Sequence, residues 1–310
     1  MVVYTVKLIT TPILKKSTMK TVFLSLVFYF FSICMGYTQN KTLFFQTDWG
    51  YNGKVEDFIE KAKISGYDGI EIWLPAESKK QKLISKALKE FDMRVIFLCG
   101  TNGNLPFEES LEEYKKHLQK AVDQKPIAIN SHTGSDFLSF EQNMAFIKAA
   151  NNLSATSNIP IYHETHRGRF SYSLPETKKY LEANINFRLT LDISHWMVVH
   201  ESLLKNREDL LEKVVLRSDH IHARVGFEEG PQVNDPSGPE WKIVLDRHLD
   251  IWETVIQKNW NEKKIATITT EFGPPNYMPT IPFTRKPLSD QWENNVFIMN
   301  MLKDRIKEMN

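Results

Sequence analysis

Residues 159–195 read IPIYHETHRGRFSYSLPETKKYLEANINFRLTLDISH. Two short β-like runs, 159–166 and 187–195, flank a segment with helical spacing over roughly 175–183. The pattern is strand, helix, strand. Each run closes on polar chemistry, with His163-Glu164-Thr165-His166-Arg167-Gly168 after the first and Leu191-Asp192-Ile193-Ser194-His195-Trp196 after the second. Acids at the ends of apolar strands are rarely buried alone, so each asks for a compensating charge.

The same alternation extends in both directions. Strands are expected at 42–47, 69–73, 94–99 and 127–131 before this stretch, and at 220–225 and 265–272 after it. Between them, helical patterns cover 55–62 (stopped by Gly66), 79–91, 108–123, 140–152, 201–214, 240–258 and 287–308. Strictly alternating β and α units imply a parallel sheet with helices outside it, and eight is the number that closes a barrel. The fold class is therefore α/β, a (β/α)8 TIM barrel over residues 41–310, with no linker or composition shift dividing it. The chain is 310 residues long and 42% hydrophobic, which suits one such domain. Two irregular stretches, 227–239 and 273–287, follow the seventh and eighth strands, where active-site loops of a barrel lie.

Residues 1–38 read as something else. An almost unbroken apolar run, 22–36, follows Lys15, Lys16 and Lys20 and precedes Thr38-Gln39-Asn40. A basic start, a short apolar core and small residues near its end describe an export signal, with residues before Met19 as an upstream extension. The expected location is outside the cytoplasm, in the periplasm. Two alternatives stay open: an uncleaved anchor, although the run is short of the ~20 residues that span a bilayer, and lipidation at Cys34. Without residues 1–38, Lys+Arg falls from 39 to 35 against 38 Asp+Glu, about −3. A basic face for nucleic acid is not evident. Of the two cysteines only Cys99 would remain, which excludes an intrachain disulfide.

In barrels, chemistry collects at the C-terminal ends of the strands. The seventh offers Asp219-His220-Ile221-His222-Ala223-Arg224 and the eighth Thr270-Glu271-Phe272-Gly273-Pro274. Four successive strands thus end in residues able to bind a metal. Each acid alone could merely cap the next helix or pair with an arginine; four in a row favour a shared cation. Three carboxylates and one imidazole form a hard donor set that favours Mn²⁺ or Mg²⁺, with Zn²⁺ or Co²⁺ also suitable.

On these residues the chain resembles the xylose-isomerase-like barrel superfamily, often labelled sugar phosphate isomerase/epimerase, from about residue 42 to the end. The resemblance implies Glu164, Asp192, His222 and Glu271 as metal ligands. It also implies Asp192…His195 as an Asp-x-x-His whose histidine reaches substrate hydroxyls, and Gly69-Ile70-Glu71 as a motif whose acid helps hold the sugar. Two departures stand out. Phe170 occupies a position where the family's epimerases often carry a second Glu, and Glu228 stands where they tend to place an arginine.

The chemistry such a site supports is proton abstraction next to a carbonyl, through an enediolate stabilised by the metal. Glu164 and Glu271 would flank the substrate as base and acid. His195, Arg224, Glu71, His132, His166 and Trp49 are the expected substrate contacts; for the histidines and Arg224 the alternatives are hydrogen bonds and salt bridges to the ligand acids. His220, below His222 on the same strand, reads as a core histidine. Trp73 and Trp196 read either as sugar-stacking faces or as core. The expected partner is a small carbohydrate or glycoside, unphosphorylated because of the export signal, and a homo-oligomer is compatible with the sequence. The leading function is an exported metal-dependent carbohydrate isomerase or epimerase. A lyase or hydratase acting on 3-keto-glycosides by β-elimination would use the same site, and a carbohydrate-binding barrel without turnover is the alternative of another class.

Overall fold

The computed structural model describes residues 40–183 and 186–309, together with Met1. The export-signal reading of residues 1–38, with its alternatives at Cys34 and at the apolar run, lies outside the described residues. Among the described residues no helix is long and apolar enough to cross a membrane.

Among them, eight strands form a closed parallel barrel in sequence order. They are β1 (Thr42–Thr47), β2 (Gly69–Trp73), β3 (Arg94–Gly100), β4 (Ala128–His132), β5 (Ile161–Glu164), β6 (Arg188–Leu191), β7 (Ser218–Ala223) and β8 (Ala266–Thr270). β1 pairs with β8, Thr42 opposite Ala266 and Gln46 opposite Thr270, which closes the ring. Strands covered on both faces need apolar residues in both phases, and β7 and β8 are buried at every position. Outward-facing residues such as Phe44, Ile70, Phe97 and Ile268 join the main core beneath the helices. A small second cluster of Leu43, Phe45, Ile96, Ala128 and Tyr162 fills the lower interior of the barrel. Gly69 is required there, because a Cβ would lie 2.4 Å from the Phe45 ring and 2.6 Å from the Arg94 carbonyl.

The outer helices are α1 (Val55–Ile64), α2 (Ser78–Glu90), α3 (Phe107–Asp123), α4 (Phe140–Ser157), α5 (Leu174–Glu182), α6 (Ile193–Val199), α7 (Glu208–Val215), α8 (Lys242–Asn261) and α9 (Gln291–Met309). Sequence signals fix several ends. Ser139 and Gln142 form a reciprocal capping box at the start of α4, and Asn158 in the left-handed region (φ 58°) ends it.

One expectation is corrected. The sixth strand stops at Leu191, not residue 195; the helix expected at 201–214 is the shorter α7, and an additional helix, α6, precedes it. The cause is Asp192, whose extended backbone and side chain, accepting from Ser194 N at 2.9 Å, start α6 immediately after the strand. The last helix likewise begins at Gln291, because Asp290 Oδ1 accepts from the backbone N–H groups of Trp292 and Glu293.

Candidate active site

Glu164 ends β5, Asp192 follows β6, His222 lies near the end of β7 and Glu271 follows β8. Successive strands of a parallel barrel all aim their C-terminal ends at one mouth, so these side chains converge. Each offers one ligand atom within 4.8 Å of all the others. All four residues are buried, at 1%, 0%, 1% and 8% exposure in that order.

Three atoms of the cluster are buried without a hydrogen-bond partner: Glu164 Oε1, His222 Nδ1 and Glu271 Oε2. His222 Nδ1 lies 2.9 Å from Glu271 Oε2 and 3.5 Å from a Glu164 oxygen, close but without hydrogen-bond alignment. Orphaned buried donors and acceptors are rare and each calls for a physical reason. A divalent cation supplies one here, since three oxygens and one imidazole nitrogen suit it. The residues present therefore fit a metal.

The electrostatics agree. Burial pushes the Asp192 carboxyl up to about 6, Glu271 and Glu164 adding to the effect while the Arg224 guanidinium opposes it. Burial likewise disfavours the charged form of Glu164, but His132 and His222 outweigh it and hold this acid well below its usual range. His222 moves the other way: the charges of Glu271, Glu71 and Glu164 overcome its burial and raise it well above an ordinary imidazole. A site that draws a proton onto a buried ring has an excess of negative charge.

Arg224 is the cation that already answers part of that excess. Its Nη2 donates to Asp192 Oδ2 and, at 2.9 Å, to His195 Nε2, and its Nη1 lies 3.4 Å from Glu271. Asp192 Oδ1 accepts from Ser194, so this ligand also caps α6. Glu71 reaches from β2 to His222 Nε2 at 2.9 Å and to His220 Nε2 at 3.1 Å. His220 is fully buried and bonded to Thr267, a core histidine as the sequence suggested.

Above the quartet a cavity of about 130 Å³ is bounded by Asp48, Trp49, His132, His166, Glu271 and Tyr277, with Glu71 and Arg224 in its wall. A larger hollow of about 700 Å³ lies at the opposite, N-terminal end of the strands, against Leu43, Ala128 and Thr267. It holds none of the quartet.

Of the expected substrate contacts, the structure brings Trp49, His132 and His166 to the cavity wall. His132 Nε2 is 2.9 Å from Glu164 Oε2. His166 sits between His132 and His195, ring centres 4.6 and 4.0 Å away, and burial holds it down at about 3. Trp49 lies on Gly273, where a Cβ would come within 2.4 Å of the indole. Arg224 and Glu71 also line the cavity, with their polar atoms bonded to protein partners, whereas His195 is fully buried behind the Asp192–Arg224 pair. Trp73 is 46% exposed at the rim, edge-on to His132. Trp196 is core, fully buried with its indole N–H on Ser171 O at 2.8 Å. Phe170 is core too, packed among His163, Tyr180 and Phe187.

Sequence reasoning passed over three residues. Asn130 donates from one amide to Glu71 Oε1 (3.0 Å) and Glu164 Oε2 (2.8 Å). The signal was present, as a polar residue inside an apolar strand in phase with His132. Tyr277 roofs the Arg224 guanidinium at 4.7 Å and accepts from Arg167 at 3.1 Å. Asp48, in the cavity wall, has its carboxyl raised to about 6 by burial, with Glu71 adding to it. Nothing local marked either of these loop residues.

A closed barrel whose mouth gathers three carboxylates and an imidazole from four consecutive strands defines a β/α barrel with a donor set suited to a cation. The chain belongs to the xylose isomerase-like TIM barrel family, whose pattern matches residues 59–257. No curated protein sequence matches it. Among solved structures it is similar to a 3-keto-D-glucoside 4-epimerase from E. coli, at 14% identity and TM-score 0.56 over 85% of this chain and 100% of that one. It is also similar to a probable 3-DHS dehydratase from Bacillus anthracis, at 14% identity and TM-score 0.54 over 84% and 98%. A xylose isomerase-like barrel from Mycobacterium smegmatis in complex with magnesium gives 11% identity and TM-score 0.55 over 86% and 99%. At these identities the likeness is one of fold.

Proposed function

We propose that the protein is a divalent-metal-dependent carbohydrate isomerase or epimerase that moves a proton at the carbon beside a carbonyl, acting outside the cytoplasm on an unphosphorylated sugar or glycoside. The observation that carries this reading is the convergence of one ligand atom from each of the quartet within 4.8 Å, with Glu164 Oε1, His222 Nδ1 and Glu271 Oε2 buried and without hydrogen-bond partners. Glu164, Asp192, His222 and Glu271 would hold the ion. When bound there, a divalent cation polarises a substrate carbonyl and acidifies the adjacent C–H.

The chain's own groups divide the remaining work. Glu271 forms part of the cavity wall and is the carboxylate placed to take a proton from bound substrate. Glu164 lies deeper, and His132, which touches both Glu164 and the cavity, connects it to the substrate. Trp49 and Tyr277, edge to face at 4.8 Å, close the cavity from above and exclude water. The likeness to an epimerase of keto-glucosides and to a magnesium-bound barrel supports the reading.

A second reading keeps the proton abstraction and adds loss of the neighbouring substituent, which makes the enzyme a lyase or dehydratase on 3-keto-glycosides. Trp73, half exposed in the wall of the 130 Å³ cavity, favours it as a platform for a second unit. Elemental analysis of the purified protein followed by a panel of ketoses and 3-keto-glycosides in D₂O tests both. Deuterium incorporation with an altered sugar supports the epimerase, and release of the aglycone supports the lyase. Protein that holds no divalent metal and exchanges no substrate proton sinks the two together.

A further inference from the structure

Glu71 belongs to β2, a strand that contributes none of the quartet, yet its carboxylate is anchored across the inside of the barrel. Oε1 lies 2.9 Å from His222 Nε2 and 3.0 Å from Asn130 Nδ2. Oε2 lies 3.1 Å from His220 Nε2 and accepts from the Thr269 hydroxyl. Four groups from β4, β7 and β8 thus use the roughly four lone-pair positions that a carboxylate offers. With 2% of its surface exposed, Glu71 has no acceptor left for a sugar hydroxyl.

Asn130 Nδ2 also lies 3.0 Å from His222 Nε2, but its two hydrogens go to Glu71 Oε1 and Glu164 Oε2, which leaves Nε2 to donate to Glu71. An ionised carboxylate only accepts, so the ring must carry its proton on Nε2 to bond Glu71. In the neutral ring that leaves the lone pair on Nδ1, the nitrogen that faces Glu164 and Glu271. Asn130 ties the two layers together, since the same amide that bonds Glu71 also bonds Glu164 Oε2 at 2.8 Å.

We propose that Glu71 is a positioning residue for the metal centre: it fixes the tautomer and orientation of His222 so that Nδ1 is the imidazole donor, with Asn130 aligning Glu164 through the same hydrogen-bond layer. The inference rests on the metal reading of the quartet and deepens it, moving Glu71 from sugar contact to support of a ligand. A carboxylate behind a ligand histidine holds the ring and raises its basicity, and losing such a partner costs about 10–100-fold in metal affinity.

The test is calorimetric titration of Mn²⁺ alone into chelator-treated wild type, Glu71→Gln and Thr269→Val, with each variant's melting temperature measured in excess chelator. A glutamine presents an amide N–H₂ to one of the two histidines, so Glu71→Gln is expected to bind Mn²⁺ about 10–100-fold more weakly. Thr269→Val removes one donor to Glu71 at nearly constant volume, and a smaller loss of affinity is expected. It carries the test should Glu71→Gln not fold. Folded variants that bind Mn²⁺ as tightly as wild type overturn the positioning role and leave the centre itself intact. Wild type that takes up no divalent ion overturns instead the reading on which the role depends.

Discussion

Arg224 reaches from the end of β7 to the carboxylate of Asp192 after β6, and neither residue exposes more than 1% of its surface. Removing one partner of such a pair strands a buried charge, at a cost of about 3–5 kcal/mol. Arg224→Met is therefore expected to lose that much stability in urea unfolding with chelator present. With saturating Mn²⁺ the loss should shrink, because ligand bound only to the folded state stabilises it and a second cation then faces Asp192. Equal losses in both conditions would separate Asp192 from the ion.

Asp192 has two duties, and one substitution separates them. Asparagine also serves as an N-cap, so Asp192→Asn is expected to keep α6 while removing one of the three negative charges of the quartet. Metal retained after dialysis, read by elemental analysis, should fall to a small fraction of wild type. Full occupancy in this variant removes Asp192 from the ligand set.

At the other end of the barrel, Asp219 is bonded by Arg188 and by Lys258, at 2.7 Å, and is approached by Lys264 at 3.3 Å. Burial alone would raise its carboxyl, but these partners bring it from 3.8 to about 2. A folded value below the unfolded one means that the ionised form stabilises the fold. That stabilisation, about 2 kcal/mol, is fully present above pH ~4 and is lost as the pH falls toward about 2. Asp219→Asn is expected to flatten this part of the acid-unfolding curve and to leave the slope near neutrality unchanged. Unfolding curves collected between pH 2 and about 5 check it.

Gly273 carries the face of Trp49. Adding a methyl group would place it 2.4 Å from the indole, so Gly273→Ala must lift Trp49 off the β8 loop and away from Tyr277. A cost of about 1–3 kcal/mol is typical for such overpacking. Once a substrate is in hand, KM should rise more than kcat falls, because the roof of the cavity moves and the quartet does not. An unchanged KM would take Trp49 out of the binding surface.

The strands were legible as short β-like runs alternating with helical patterns, and the quartet because a barrel's shared mouth turns four strand ends into neighbours. The start of α6 was not, because the apolar-polar alternation of residues 187–194 carries a strand-like period past Leu191, where the strand ends. The capping aspartate marks the boundary, and its sequence reading holds capping only as the alternative to metal binding. The partners of Glu71 and Arg224 were hidden for a different reason. Glu71 and His222 lie 151 residues apart, and residue type alone says nothing about which lone pairs a barrel interior has already filled. Tyr277 and Asp48 sit on loops whose path no periodicity reports.

The pairing of β1 with β8 also sets when the cavity comes into being. Thr270 hydrogen-bonds Gln46 at 3.3 Å across 224 residues of chain, and Gln291 donates at 2.6 Å to the carbonyls of both Trp49 and Phe272. Asp48 and Trp49 on one side of this seam face Glu271 and Tyr277 on the other. Contacts so distant in sequence form late, since loop closure opposes them until the intervening units are in place. A chain whose last strand has not docked therefore has no chamber, and turnover, once measured, will report only molecules whose first and last strands have met.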